Sequence, residues 1–204
     1  MADLFPLFLN LESRRCLIVG AGAIARHKLA GLLDSGAELH IVAPAAVAEI
    51  KELARNGRLI WTQDDFEPAH LDGALLVIAA TGDPVVNEKV YRAARERGVL
   101  CNAVDEPAHC DFHYPAVVRR GDLQIAISTA GKSPALAQRI RRELEVQFDA
   151  SYVAWLKWLG SVRELFFRSR MEPELRRQTL HSIAGRAVYE RFRSSREKHG
   201  GFHG

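Results

Sequence analysis

Two places in this chain carry residues whose types and spacing could do chemistry. One is the run from Cys16 to Ala25, CLIVGAGAIA, and the other is Asp105, which ends a later apolar run. In the first, four apolar residues lead into Gly-x-Gly-x-x-Ala, a helical pattern follows over 26–33, and a second β-branched run occupies 39–42. Strand, tight turn, helix, strand is the setting that a dinucleotide-binding turn requires. Gly20 permits the sharp exit from the strand. Gly22 has no Cβ to keep a pyrophosphate from the backbone, and Ala25 holds the small position where the helix packs on the sheet. The N–H groups of Ala23 and Ile24 then face the phosphates. Thr81 and Gly82 end the apolar run 74–80, at the carboxyl end of a central strand, where open α/β sheets bind ligands. The competing reading is a tight strand-to-helix turn that binds nothing.

An acidic residue normally follows the second strand of such a unit and binds the adenosine ribose. Here that point reads Val42-Ala43-Pro44-Ala45. Backbone groups around Pro44 and Ala45 must hold the ribose instead. No arginine stands there to take a 2′-phosphate, so the reading favours NAD over NADP.

Asp105 stands where a carboxylate faces the ligand crevice of a dinucleotide fold. There it can serve as a general base while a nicotinamide takes a hydride. Asp-Glu-Pro is also good turn chemistry, and the two readings stand level on these residues alone. His109, Cys110, Asp111 and His113 crowd the next loop, but the spacing matches no structural zinc pattern, so no resident metal is assigned. A transient metal contact during turnover stays open. Ser128, Thr129, Lys132 and Ser133 precede a helix start, a natural site for a phosphate or a substrate carboxylate. Ordinary capping competes with that role, above all for Ser133.

The elements that must position these residues read in order. A short strand is expected over 6–11, then the nucleotide-binding strand, helix and second strand. A helix over 45–56, a short strand over 59–61 and an acidic connection over 63–73 follow. The run 74–80 is apolar throughout, as in a parallel strand buried on both faces. Asp83 caps and Pro84 starts a helix that Gly98 ends. A strand over 99–104 carries Asp105 at its end. The pattern then changes to an antiparallel hairpin, with strands over 112–119 and 123–128 about the turn Arg120-Gly121-Asp122. Everything beyond is helical: 135–148, about 152–168, a run after Pro173, and about 182–193. The tail from Lys198 reads as frayed.

Composition narrows the class. The chain has 204 residues and is 48% hydrophobic, enough for a proper core. No apolar run approaches the roughly 18 residues of a membrane span, and the N-terminus lacks the pattern of a secretion signal. Three cysteines, Cys16, Cys101 and Cys110, form no paired framework, which fits a reducing cytoplasm. Residues 139–204 hold 14 Lys/Arg against 8 Asp/Glu, whereas the remainder holds 14 against 17. A basic helical part implies an acidic partner. Nucleic acid is disfavoured because Trp155, Trp158, Phe166 and Phe167 recur at helical spacings, as core aromatics do. The hairpin would leave strand edges and an apolar helix face exposed in a monomer, so a homodimer is expected.

Taken together, the blocks PLFLNL at 6–11, CLIVGAG at 16–22, AATGD at 79–83, NAVD at 102–105, CDFHYPA at 110–116 and RGDLQIAISTAGKSP at 120–134 resemble the precorrin-2 dehydrogenase module of siroheme synthesis. That module occurs alone or fused ahead of a uroporphyrinogen methyltransferase. The blocks run in order over roughly residues 5–148. The resemblance implies an α/β fold in three parts: an NAD-binding Rossmann domain over 1–112, a dimerisation hairpin-plus-helix segment over 113–149, and a small helical domain over 150–204. It implies NAD as cofactor, precorrin-2 as substrate, sirohydrochlorin as product and an intertwined homodimer. It places the family's essential aspartate at Asp105, and in members that also make siroheme the same residue is implicated in Fe²⁺ insertion. The substrate is a polycarboxylate, which suits the basic helical part. With the chain ending at 204, no methyltransferase is expected to follow, and another protein would supply precorrin-2. One departure is Ala130, where relatives usually have glycine. Two other readings stay in play: a regulatory module that senses NAD(H) without chemistry, and a metallochelatase that does not use NAD.

Overall fold

The computed structural model describes residues 4–198. It divides into two compact units, one spanning Phe5–Tyr114 and the other running from Pro115 onward.

The first unit is a five-stranded parallel sheet with strand order β3-β2-β1-β4-β5. The strands are β1 (Arg15–Val19), β2 (Glu38–Val42), β3 (Ile60–Thr62), β4 (Ala74–Ala79) and β5 (Leu100–Ala103). Between them lie α1 (Ala23–Ala30), α2 (Ala48–Arg55) and α3 (Pro84–Arg97). β1 and β4 are adjacent, and the chain winds outward from them in opposite directions, which puts the topological switch point between their carboxyl ends. Successive residues of β1 serve opposite layers. Cys16 and Ile18 pack with Ala25, Leu29 and Ile78, whereas Leu17 and Val19 pack with Val77, Val90 and Cys101. Burial of a full Leu or Ile side chain stabilises by about 1.5–3 kcal/mol, and both faces of β1 and β4 contribute in this way. This is why those runs read as continuously apolar.

The ladder continues past the strand ends. Gly20 N–H donates to Val42 O at 2.9 Å, Ala80 N–H to Val19 O at 2.8 Å, and Val104 N–H to Ala79 O at 2.9 Å. These bonds bring the loops after β1, β2, β4 and β5 together at the carboxyl ends of the strands. α3 has the ends its sequence requires: Asp83 Oδ1 accepts from Val85 N–H at 2.8 Å, and Gly98 stops it at φ +67°.

Three sequence expectations need correction. Residues 6–11 form no strand and pair with no other strand among the described residues. Leu7, Phe8 and Leu9 of that segment are exposed, as is Phe5 just before it. α2 starts at Ala48 rather than residue 45, because the chain bends at Pro44 and Ala45 and is still extended at the N-cap, Val47. α1 ends at Ala30, before Gly31 and a run of turns.

The second unit opens with the antiparallel hairpin β6 (Ala116–Arg120) and β7 (Leu123–Ile127), turned at Gly121 with φ +58°. Helices α4 (Pro134–Gln147), α5 (Ser151–Arg168), α6 (Pro173–Ile183) and α7 (Arg186–Lys198) follow. Trp155 is buried, stacks on Trp158 at 5.0 Å and meets Tyr189 and Phe192 of α7. Phe167, expected in the core, is exposed on α5, and the guanidinium groups of Arg163 and Arg176 lie over its ring at 4.7 and 4.3 Å. Ser151 Oγ bonds Tyr189 OH at 2.6 Å and Asp149 Oδ1, which ties the start of α5 to α7. The basic surplus is partly neutralised on the helices themselves, through pairs such as Arg139–Glu143, Arg177–Glu174 and Arg186–Glu190. The last helix runs through Lys198, where fraying was expected, and the rest of that tail lies outside the described residues.

Candidate cofactor and substrate site

The glycine turn has two different reasons for its two glycines. Gly20 sits at φ +101°, and a Cβ there would lie 2.5 Å from the carbonyl oxygen of Ala80. It is required by the neighbouring strand. Gly22 has φ −89° and a Cβ would meet nothing within 4 Å. The space in front of it is open. Gly22 is also the N-cap of α1, and no side chain caps that helix. The N–H groups of Ala23 and Ile24 therefore keep the unfilled donor capacity of a first helical turn, beside an open approach, and both residues are exposed. Pro44 and Ala45 are exposed at the end of β2. Trp61 Nε1–H fixes that loop by donating to Ala43 O at 3.0 Å. These features fit the pyrophosphate and adenosine half of a dinucleotide.

Across the switch point, the turn after β4 is internally braced. Thr81 Oγ donates to Asn87 Oδ1 at 2.7 Å and accepts from Asp83 N–H at 3.2 Å. Asn87, buried on α3, also accepts from Thr81 N–H at 3.3 Å. Thr81 thus shapes the turn with its side chain and leaves Gly82 exposed at the crest. Sequence reasoning missed Asn87. Its signal was an amide placed at a core-facing position of α3, three residues after the proline that starts the helix.

Asp105 follows β5 and has φ +63°, in the left-handed region. An aspartate held there costs about 1–2 kcal/mol, and such outliers gather at functional sites. The residue is exposed, and its carboxylate has no partner among the described residues. The chain then doubles back along β5. Asn102 and Cys110 form an antiparallel bridge, Asp111 N–H donates to Cys101 O at 2.7 Å, and Cys101 N–H donates to Asp111 Oδ2 at 3.0 Å. Cys110 Sγ donates to Ala103 O at 3.2 Å, and burial pushes its thiol up. Asn102 is buried, donates Nδ2–H to Phe112 O at 2.8 Å, and leaves Oδ1 without a partner. That orphaned acceptor lies on the strand that presents Asp105. It is a second feature the sequence reading passed over, although an Asn inside an apolar strand was visible. His109, Cys110 and Asp111 are engaged in these structural contacts, His113 is exposed, and no three His, Cys, Asp or Glu side chains converge among the described residues.

The first unit therefore gathers Gly20, Gly22, Ala23, Ile24, Pro44, Ala45, Thr81, Gly82 and Asp105 at the carboxyl ends of its parallel strands. Ser128, Thr129, Lys132 and Ser133 belong to the second unit. Their loop is a local network: Ala130 N–H donates to Ser128 Oγ, Ser133 N–H to Thr129 Oγ1, and Leu136 N–H to Ser133 Oγ. Ser133 is the N-cap of α4, as ordinary capping requires. Lys132 is exposed, with no partner for its ammonium among the described residues. Ala130 takes φ +49°, a left-handed conformation that glycine would adopt without strain.

Residues 7–116 match the model of a family described as putative NAD(P)-binding. The chain belongs to this family. Residues 120–147 match a second model, described as sirohaem biosynthesis protein central. The chain is 41% identical over 162 residues to a siroheme synthase of Photorhabdus laumondii, covering 79% of this chain and 34% of that protein. It is 38% identical over 189 residues to siroheme synthase 2 of Yersinia pestis, covering 90% and 39%. The chain thus spans between a third and two-fifths of the curated relatives it matches. Among solved structures, SirC, a precorrin-2 dehydrogenase, superposes with a TM-score of 0.76 at 29% identity, covering 96% of this chain and all of the other. The parallel sheet followed by a helical part is the fold expected from the sequence, and it is the fold of SirC.

Proposed function

We propose that this chain oxidises precorrin-2 to sirohydrochlorin with NAD⁺ as hydride acceptor, in siroheme biosynthesis. The observation that carries this reading is Asp105. It is an unpartnered carboxylate on a left-handed backbone, at the same carboxyl end of the sheet as an open dinucleotide turn, in a chain that matches a precorrin-2 dehydrogenase along nearly its whole length.

When bound, the nicotinamide supplies a hydride acceptor. Gly22 lets the pyrophosphate approach, and the N–H groups of Ala23 and Ile24 meet its charge. Removal of two hydrogens from precorrin-2 delivers one as hydride to NAD⁺ and one as a proton, and Asp105 is positioned to take the proton. The cofactor is NAD rather than NADP. No Lys or Arg stands between β2 and α2 to take a 2′-phosphate. Ser128, Thr129, Lys132 and Ser133 contribute to holding the carboxylates of the macrocycle, with Lys132 as the free charge.

The same carboxylate suits a second step, acceptance of pyrrole protons as Fe²⁺ enters sirohydrochlorin to give siroheme, with iron as substrate. The working form is a homodimer: Phe5, Leu7 and Phe8 are exposed, and the β6–β7 ribbon has unpaired edges. Light scattering at micromolar concentration is expected to give twice the chain mass, and a monomer would remove this part. The domain division at 112 and 149 and a reducing, cytoplasmic setting belong to the same proposal.

The test is Asp105→Ala. Calorimetry is expected to show NAD⁺ binding close to wild type, with sirohydrochlorin formation lost. Unchanged turnover removes Asp105 from the mechanism.

A further inference from the structure

The left-handed backbone of Asp105 needs something to hold it, and the structure shows a closed circuit of side chains beside it. His109 Nδ1 lies 2.7 Å from Glu106 Oε2, and the ring of His109 stacks on Tyr91 of α3 with centroids 4.4 Å apart and planes 22° apart. Arg95, one helical turn after Tyr91, lies over the other ring at 5.9 Å and reaches Asp111 Oδ1 at 3.8 Å. Asp111 in turn is bonded to the backbone of Cys101 on β5. The circuit therefore runs from the residue after Asp105, through α3, back to the strand before it. The backbone inside it is pinned as well: Glu106 N–H donates to Ala103 O, and His109 N–H to Glu106 O.

We infer that Glu106, His109 and Tyr91 form a clamp that holds Asp105 in its left-handed conformation and so fixes the direction of its carboxylate. These are positioning residues, and the inference rests on the catalytic reading of Asp105. His109 is fixed at one edge by a hydrogen bond and on one face by an aromatic ring, so its ring can hardly turn. Asp105 has no side-chain bond of its own, so the backbone, which sets its Cα–Cβ bond, is what directs the side chain toward one side of the turn. A small misplacement of a reacting group is enough to lose most of its rate.

The experiment is a set of variants read by steady-state kinetics, NAD⁺ calorimetry and crystallography. His109→Ala is expected to lower kcat between about tenfold and 100-fold, with KM and the NAD⁺ Kd unchanged. Tyr91→Ala lowers it similarly, whereas Tyr91→Phe restores the rate because the ring face remains. Added to Asp105→Ala, His109→Ala causes no further loss, since there is no carboxylate left to aim. In the crystal structure of His109→Ala, Asp105 leaves positive φ. The clamp is overturned if His109→Ala costs the same factor in both backgrounds, if only KM moves, or if Asp105 keeps its left-handed φ without His109. Should the wild-type chain itself fail to oxidise precorrin-2, the catalytic reading falls while the crystal structure still decides the clamp.

Discussion

Replacing each glycine of the turn by alanine separates folding from binding. At Gly20 the new Cβ would lie 2.5 Å from Ala80 O, 2.8 Å from Ala80 C and 3.1 Å from Thr81 N. All three are backbone atoms of the neighbouring β4 exit, so no side chain can swing aside. A non-glycine residue held at φ +101° costs about 1–3 kcal/mol. Forcing the two strand exits apart adds about 1–3 kcal/mol. The sum is a large part of a total stability of roughly 5–15 kcal/mol, and the melting temperature should fall on the order of 10 °C or more. At Gly22 nothing lies within 4 Å and the backbone is one that alanine adopts. Loss of unfolded-state freedom favours alanine by about 0.4–1 kcal/mol. A poorer N-cap offsets this by about as much. Gly22→Ala should therefore melt like wild type, yet its methyl projects into the approach to the first turn of α1. The NAD⁺ Kd is expected to rise at least about tenfold, or about 1.4 kcal/mol. Differential scanning calorimetry and NAD⁺ titration of both variants decide the matter. A Gly20→Ala protein as stable as wild type refutes the steric argument, and a Gly22→Ala protein with unchanged Kd refutes the phosphate assignment.

Ala130→Gly removes the strain of φ +49° and should raise stability by about 1 kcal/mol in urea unfolding; a loss of stability would contradict it. Burial pushes the thiols of Cys16 and Cys101 up to about 11 and about 12, so in the native state at pH 8 a thiol reagent should leave both unmodified until denaturant is added. The Ser151 hydrogen bonds hold the carboxyl of Asp149 below its ordinary range. Its contribution is present above the unfolded value near pH 4 and fades as pH falls further. Asp149→Ala should thus cost about 1 kcal/mol at pH 7, and the gap from wild type should close in acid; a gap that is constant with pH would show that the charge plays no part.

The sheet was legible because β1 and β4 are buried on both faces and their residues say so without a break. Asp83-Pro84 and Gly98 gave the ends of α3 for the same kind of local reason. Residues 6–11 misled because a short apolar run signals a strand whether or not another strand pairs with it. Phe167 misled because helical spacing does not say which face of α5 is covered. At the site, the glycine turn was readable from the strand and helix that flank it, whereas Asp105 stood level between catalysis and turn chemistry until the family resemblance was added. The positive φ of Asp105, the bond from Thr81 to Asn87 and the orphaned Asn102 Oδ1 were not readable, since each depends on a backbone path that brings distant residues together. Asn102 lies five to ten residues before the loop that folds back on it, and nothing in that spacing announces the reversal.

The most direct test of the account is an anaerobic assay of freshly generated precorrin-2 with this protein, followed by visible spectroscopy with and without NAD⁺ and then with Fe²⁺. The account predicts a sirohydrochlorin spectrum that develops only when NAD⁺ is present, with conversion to siroheme on adding Fe²⁺ faster than in an enzyme-free control. A spectrum that NAD⁺ leaves unchanged would contradict the central claim.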